Sequence, residues 1–227
     1  MLLSALLLFI TTLTTSGCAT GNRDILWNIV TNCLDPAVSD YDTRCSRPIA
    51  KSAAACRKTT DVWNMNSEFV VLRDVKMCDC PADTTFVHGL AIPRARTTGS
   101  EDPNRPDGIW QYAWDNAVKR IDNEGDIALM VNPPGLLNRG QDQLHVHLVR
   151  LNDAGRRIVA APGAPGVHRL ADVWRKADQL AAEKGLKYYG VLVARNPSGG
   201  FVVHVDDRNR ECDYTVARCP SSPGLPE

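Results

Sequence analysis

Two histidines, His145 and His147, stand two residues apart in the run Gln141-Asp142-Gln143-Leu144-His145-Val146-His147. Leu144, Val146 and Leu148 alternate with Gln143, His145 and His147, the period of an extended strand, so both imidazoles are expected on one face. Paired imidazoles serve three chemistries. Neutral rings can ligate a transition metal. One ring can attack phosphorus while the other assists. The pair can also sense pH, because an imidazole titrates near neutrality. The remaining alternative is two polar side chains on a solvated strand, and spacing alone does not choose among the four.

The surrounding elements must position the pair. Upstream, Ile127-Ala128-Leu129-Met130-Val131 reads as a buried strand that runs into Asn132-Pro133-Pro134-Gly135, a loop signal. The loop continues through Asn138-Arg139-Gly140 to the motif. Phe69-Val70-Val71-Leu72 reads as a strand ended by Arg73-Asp74, and Phe86 to Ile92 as a second one stopped by Pro93. Tyr189 to Ala194 and Phe201 to Val205 read as a hairpin across Asn196-Pro197-Ser198-Gly199-Gly200. Helical spacing is carried by Leu26, Ile29, Val30 and Cys33, by Trp110, Ala113, Trp114, Ala117, Val118 and Ile121, and by Leu170, Val173, Trp174, Ala177, Leu180 and Ala181. Residues 34–67 read as loop-rich. The sum is α+β: an antiparallel sheet with flanking helices.

Composition narrows the function classes. The 227 residues include 26 Lys plus Arg and 26 Asp plus Glu, so a bulk electrostatic grip on nucleic acid is not expected. An apolar share of 44% supports an ordinary core. The apolar run from Leu2 to Ile10 is shorter than the ~20 residues of a membrane span and suits a signal-peptide core. Ser16-Gly17-Cys18 resembles a bacterial lipoprotein processing site, which makes Cys18 a lipidation candidate. A cleaved signal without lipid and a retained anchor are the alternatives, and all three place the body outside the cytosol. Eight cysteines suit an oxidising compartment. Cys33 with Cys45, and Cys212 with Cys219, would close short loops. Cys78-Asp79-Cys80 lacks a second pair at zinc-finger spacing. The expected organisation is a leader over residues 1–18, one domain over 19–219 and a disordered tail over 220–227.

The order of Asn132, the loop, Gln141 and the His145-Val146-His147 strand resembles the histidine-triad superfamily of nucleotide hydrolases and transferases. His88-Gly89-Leu90-Ala91-Ile92-Pro93 is similar to that superfamily's earlier strand. Leu26 to Val30 with Cys33, Val70 to Asp74, Ile92 to Pro103, Tyr112-Ala113-Trp114 and the Tyr189-Gly190 hairpin resemble one branch, the bacterial CDP-diacylglycerol pyrophosphatases, over roughly residues 24 to 212. The resemblance implies a HIT-like fold and hydrolysis of CDP-diacylglycerol to CMP and phosphatidate through a nucleotidyl-histidine. It implies no cofactor and no metal, a membrane surface as workplace and, by analogy, a homodimer. Asn132, Gln141, Asp142, His88 and Arg96 would serve the substrate. Structural alternatives stand beside them: a strand-to-loop cap for Asn132, a turn residue in Asp142, a core histidine in His88, a surface charge in Arg96. The family's three alternating histidines are two here. If Val149 replaces the third, His147 attacks and His145 supports, as counting from Asn132 and Gln141 suggests. If Gln143 replaces the first, His145 attacks. An exported hydrolase of soluble nucleotide esters and a metal-binding lipoprotein using both histidines and a thiolate are the competing readings.

Overall fold

Short runs of branched aliphatics alternating in facing direction build the molecule around one sheet. The structure, a computed structural model, describes residues 22–34, 62–77, 80 and 85–219. Its strands are β1 (Val62–Met65), β2 (Phe69–Arg73), β3 (His88–Pro93), β4 (Ile127–Val131), β5 (Val146–Arg150), β6 (Gly166–Val167), β7 (Gly190–Arg195) and β8 (Phe201–Asp206). They form an open sheet in the order β1-β2-β3-β5-β4-β7-β8-β6, with every neighbouring pair antiparallel. The helices are α1 (Ile25–Asn32), α2 (Gly108–Ala117), α3 (Asp153–Val159), α4 (Val173–Glu183) and α5 (Glu211–Tyr214). The α+β expectation, an antiparallel sheet with flanking helices, is therefore met.

The alternation sorts side chains onto two faces. One face carries Val71, Ala91, Leu129, Val146, Leu148, Val193 and Val203 into a core with α2 and α4. Tryptophans fill it: Trp110 meets Trp174 edge to face at 4.8 Å, and Trp114 meets Phe201 at 4.9 Å. The other face is covered in two patches. Leu26, Ile29, Val30 and Cys33 of the α1 segment lie on Val70, Leu72, Leu90 and Ile92. Ala128, Met130, Val149, Leu192 and Val202 pack with Val159 of α3 and Tyr214 of α5. The histidines emerge in the furrow between these patches.

Several elements differ from the sequence reading. The segment read as loop-rich contains β1. The β5 ladder starts at Val146 rather than Gln143, because Leu144 N–H pairs with Thr97 O at 2.6 Å and follows a different segment. Helix α3 lacks an apolar period and is held at its start by Asn152, whose side chain accepts from Gly155 N–H. The hairpin forms as expected, with Gly199 and Gly200 at φ of 105° and 71° in its turn.

The short-loop pairing of Cys212 with Cys219 is overturned. Cys219 is bonded to Cys80, with Cα atoms 5.7 Å apart, and Cys212 is an exposed free thiol. The reason is local: Cys212 sits on α5, while Thr215 bridges Leu151 and the chain then runs on toward Cys80. Cys33 is disulfide-bonded. Its partner, the candidate Cys45, the lipidation candidate Cys18, the leader over 1–18 and the tail over 220–227 lie outside the described residues. Among the described residues, no helix is long and apolar enough to cross a membrane.

Candidate functional site

Strand register brings the site together. β5 lies between β3 and β4, with His147 opposite both Leu90 and Met130. His88 opens β3, and Asn132 follows the last residue of β4. The three side chains converge: His147 Nδ1 is 3.1 Å from His88 Nε2, and His147 Nε2 is 3.3 Å from Asn132 Nδ2. From α5, Glu211 places Oε1 3.2 Å from His88 Nε2 and Oε2 3.7 Å from His147 Nδ1. After β2, Asp74 Oδ2 lies 2.9 Å from His88 Nδ1, and the ammonium of Lys76 pairs with Glu211.

His145 is held differently. Its Nδ1 lies 2.7 Å from the backbone oxygen of Gln143. A carbonyl oxygen only accepts, so Nδ1 carries the proton and Nε2 is left with its lone pair. Gln143 itself is locked: its amide donates to Pro93 O at 2.9 Å and Ala95 O at 2.8 Å, and accepts from Thr97 N–H at 3.3 Å. His147, by contrast, has neighbours at both ring nitrogens.

Burial sets the charge states. It pushes His147 down to about 3, and it lowers His145 as well, only partly offset by the Gln143 carbonyl. Both rings are therefore neutral near pH 7. Burial also disfavours charge on His88, but Asp74 and Glu211 outweigh it and raise its pKa. Burial would raise Asp74, yet His88 holds it down at about 2. Glu211 is likewise ionised against burial, with His88 and Lys76 among the charges that keep it so.

A cavity of about 310 Å³ opens beside the imidazoles. His145, His147, Gln141, Asp74, Lys76 and Arg73 line one part of it, and Ile25, Leu26, Ile29, Leu72 and Leu90 the other. The cavity thus joins imidazoles, a cation and an apolar wall in one space.

The sequence candidates fare unequally. His88, Asn132, His145 and His147 meet in the furrow, and Gln141 lines the cavity. Both amide hydrogens of Gln141 are already donated, to Asn22 O at 3.2 Å and Gly140 O at 3.0 Å, while its oxygen accepts from Leu26 N–H at 3.1 Å. It therefore ties α1 to the motif. Asp142 is clamped by Arg23 at 2.6 and 2.7 Å. Arg96 pairs with Asp24 and lies over the Trp27 ring at 5.2 Å, away from the cavity lining. Trp110 is core, as its helical spacing suggested. Glu211 and Lys76 were missed: neither has a partner nearby in sequence or a place in a periodic face. Asp74 closes the apolar run from Phe69 to Leu72, and its burial beside His88 is visible only in the fold.

A scan against protein-family models gives no match for this chain, and neither does a search of curated proteins. The functional reading therefore rests on the site.

Proposed function

We propose that this chain is a HIT-like hydrolase that splits the pyrophosphate of CDP-diacylglycerol into CMP and phosphatidate. The observation that carries the reading is His145: its tautomer is set by Gln143 O, so a neutral Nε2 lone pair stands at a cavity that also offers a cation and an apolar wall. Nε2 attacks the phosphorus next to cytidine, the P–O bond of the anhydride breaks, and its electron pair leaves on the phosphatidate oxygen. Water then attacks the nucleotidyl-histidine, breaks the P–N bond and releases CMP. Of the two assignments left open by spacing, His145 as attacker is preferred, because neighbours engage both nitrogens of His147.

Negative charge grows on the phosphoryl oxygens during attack and calls for fixed donors. Lys76 is placed for this better than Arg96, since it lines the cavity. The aliphatic side chains of α1, β2 and β3 suit the start of a diacylglycerol moiety. The Cys80–Cys219 bond agrees with work outside the cytosol. The test compares CMP release from CDP-diacylglycerol and from a soluble CDP ester. Faster turnover of the lipid-linked substrate is expected. Turnover of the soluble ester alone would replace this substrate with a soluble nucleotide.

A further inference from the structure

Three potential ligand atoms face one point in the furrow. His88 Nε2 lies 3.1 Å from His147 Nδ1 and 3.2 Å from Glu211 Oε1, Glu211 Oε2 lies 3.7 Å from His147 Nδ1, and one ligand atom from each of these buried side chains falls within 4.8 Å of the other two. Hydrogen bonding accounts for two of these contacts, with His88 Nε2–H shared between His147 Nδ1 and Glu211 Oε1, and leaves the 3.7 Å approach of Glu211 Oε2 to His147 Nδ1 without a bond. A tetrahedral ion accounts for it well. With metal–ligand bonds of about 2.0–2.2 Å, the edges between ligand atoms are roughly 3.3–3.6 Å; the 3.1 and 3.2 Å separations from His88 Nε2 lie close to that, and a small turn of the Glu211 carboxylate brings one oxygen toward both imidazoles.

The outer contacts fit the same occupant. A ligating imidazole usually turns its other nitrogen to a carboxylate or amide that fixes the ring. His88 turns Nδ1 to the Asp74 carboxylate at 2.9 Å, and His147 turns Nε2 to the Asn132 amide, whose nitrogen stands at 3.3 Å; turning that amide end for end puts its oxygen there to accept the ring N–H. The Oδ1 atom of Asn132 is buried with no hydrogen-bond partner, so the amide has capacity to spare at this spot. Two imidazoles and one carboxylate select a borderline transition metal over magnesium or calcium. One feature opposes the ion: the Lys76 ammonium already pairs with Glu211.

We propose that His88, His147 and Glu211 form a binding site for one divalent transition-metal ion of the zinc type, which replaces the proton they share and competes with Lys76 for Glu211. The site goes beyond the hydrolase reading and does not depend on it. Binding releases the proton held at His88, since an imidazole ligates only when neutral.

The full chain, stripped with chelator, is dialysed to equilibrium against Zn²⁺ or Mg²⁺ near neutral pH, and bound metal is counted by elemental analysis. About one zinc per chain and no magnesium are expected. Glu211→Gln should weaken zinc binding roughly a hundredfold, and Asp74→Asn roughly tenfold through His88. Lys76→Met should tighten it several-fold, a gain that loss of folding cannot imitate. Absence of stoichiometric zinc in the wild type would overturn the site. So would unchanged zinc binding in Glu211→Gln, or zinc binding in Lys76→Met no tighter than in the wild type.

Discussion

Lys76 and Arg96 are two cations that could each meet a phosphate, and their surroundings separate them. Each is paired with a carboxylate, Arg96 with Asp24 and Lys76 with Glu211, but Arg96 lies over Trp27 outside the cavity lining, whereas Lys76 lines the cavity with His145 and His147. A charge-assisted hydrogen bond contributes about 1.5–3 kcal/mol, equivalent to roughly 10–100-fold in rate or affinity. Lys76→Ala should therefore lower kcat/KM for CDP-diacylglycerol roughly 10–100-fold in steady-state assays, with partial recovery in Lys76→Arg. Arg96→Ala should change it by less than about threefold, as expected for an exposed ion pair. Residues close in sequence were legible as neighbours: His145, His147 and Asn132 lie on or beside one strand pair, so their order already placed them together. Glu211 and Asp74 were not, because they arrive from α5 and from the turn after β2, and only the fold makes them neighbours. The tautomer of His145 was also hidden, since it depends on a backbone oxygen two residues away and not on any side-chain pattern.

At the scale of elements, Gly89 shows how packing on one face of β3 accommodates the histidine on the other. A Cβ at this position would lie 2.4 Å from Cζ3 of Trp63, whose ring reaches across from β1 and carries Arg120 at 4.8 Å on its face. Gly89→Ala must displace that ring, and overpacking of this kind costs about 1–3 kcal/mol. A lowered midpoint in urea unfolding is the expected outcome, together with a change in tryptophan fluorescence. Strands β2, β4, β7 and β8 were readable from sequence as short apolar runs bounded by polar or turn residues, as were the apolar stripes of α2 and α4. β1 was not, since Trp63-Asn64-Met65 mixes polarity and its register shifts between Val62 and Asn64. The helix α3 escaped because Gly155, Arg156 and Arg157 interrupt any apolar period. The late start of β5 follows from Gln143, whose side chain binds the 93–97 segment just where the ladder would have begun.

Across the whole molecule, the sheet order and the disulfide were the least legible features, because both depend on long-range pairing. No local signal ranks β5 between β3 and β4, yet that placement creates the site. The Cys80–Cys219 bond, spanning a sequence separation of 139, anchors the segment that follows α5, and α5 carries Glu211. A native disulfide contributes typically about 2–4 kcal/mol. Cys219→Ser should lower the urea midpoint accordingly under oxidising conditions, while Cys212→Ser, which alters only an exposed free thiol, should leave it unchanged. In the proposed mechanism two adjacent imidazoles divide the labour, and covalent trapping tests that division most directly. CDP-diacylglycerol labelled at the phosphorus next to cytidine is mixed with protein, quenched and assayed for protein-bound label. Wild type and His147→Ala should retain label, and His145→Ala should retain none. Label on His145→Ala together with its absence from His147→Ala would contradict the account.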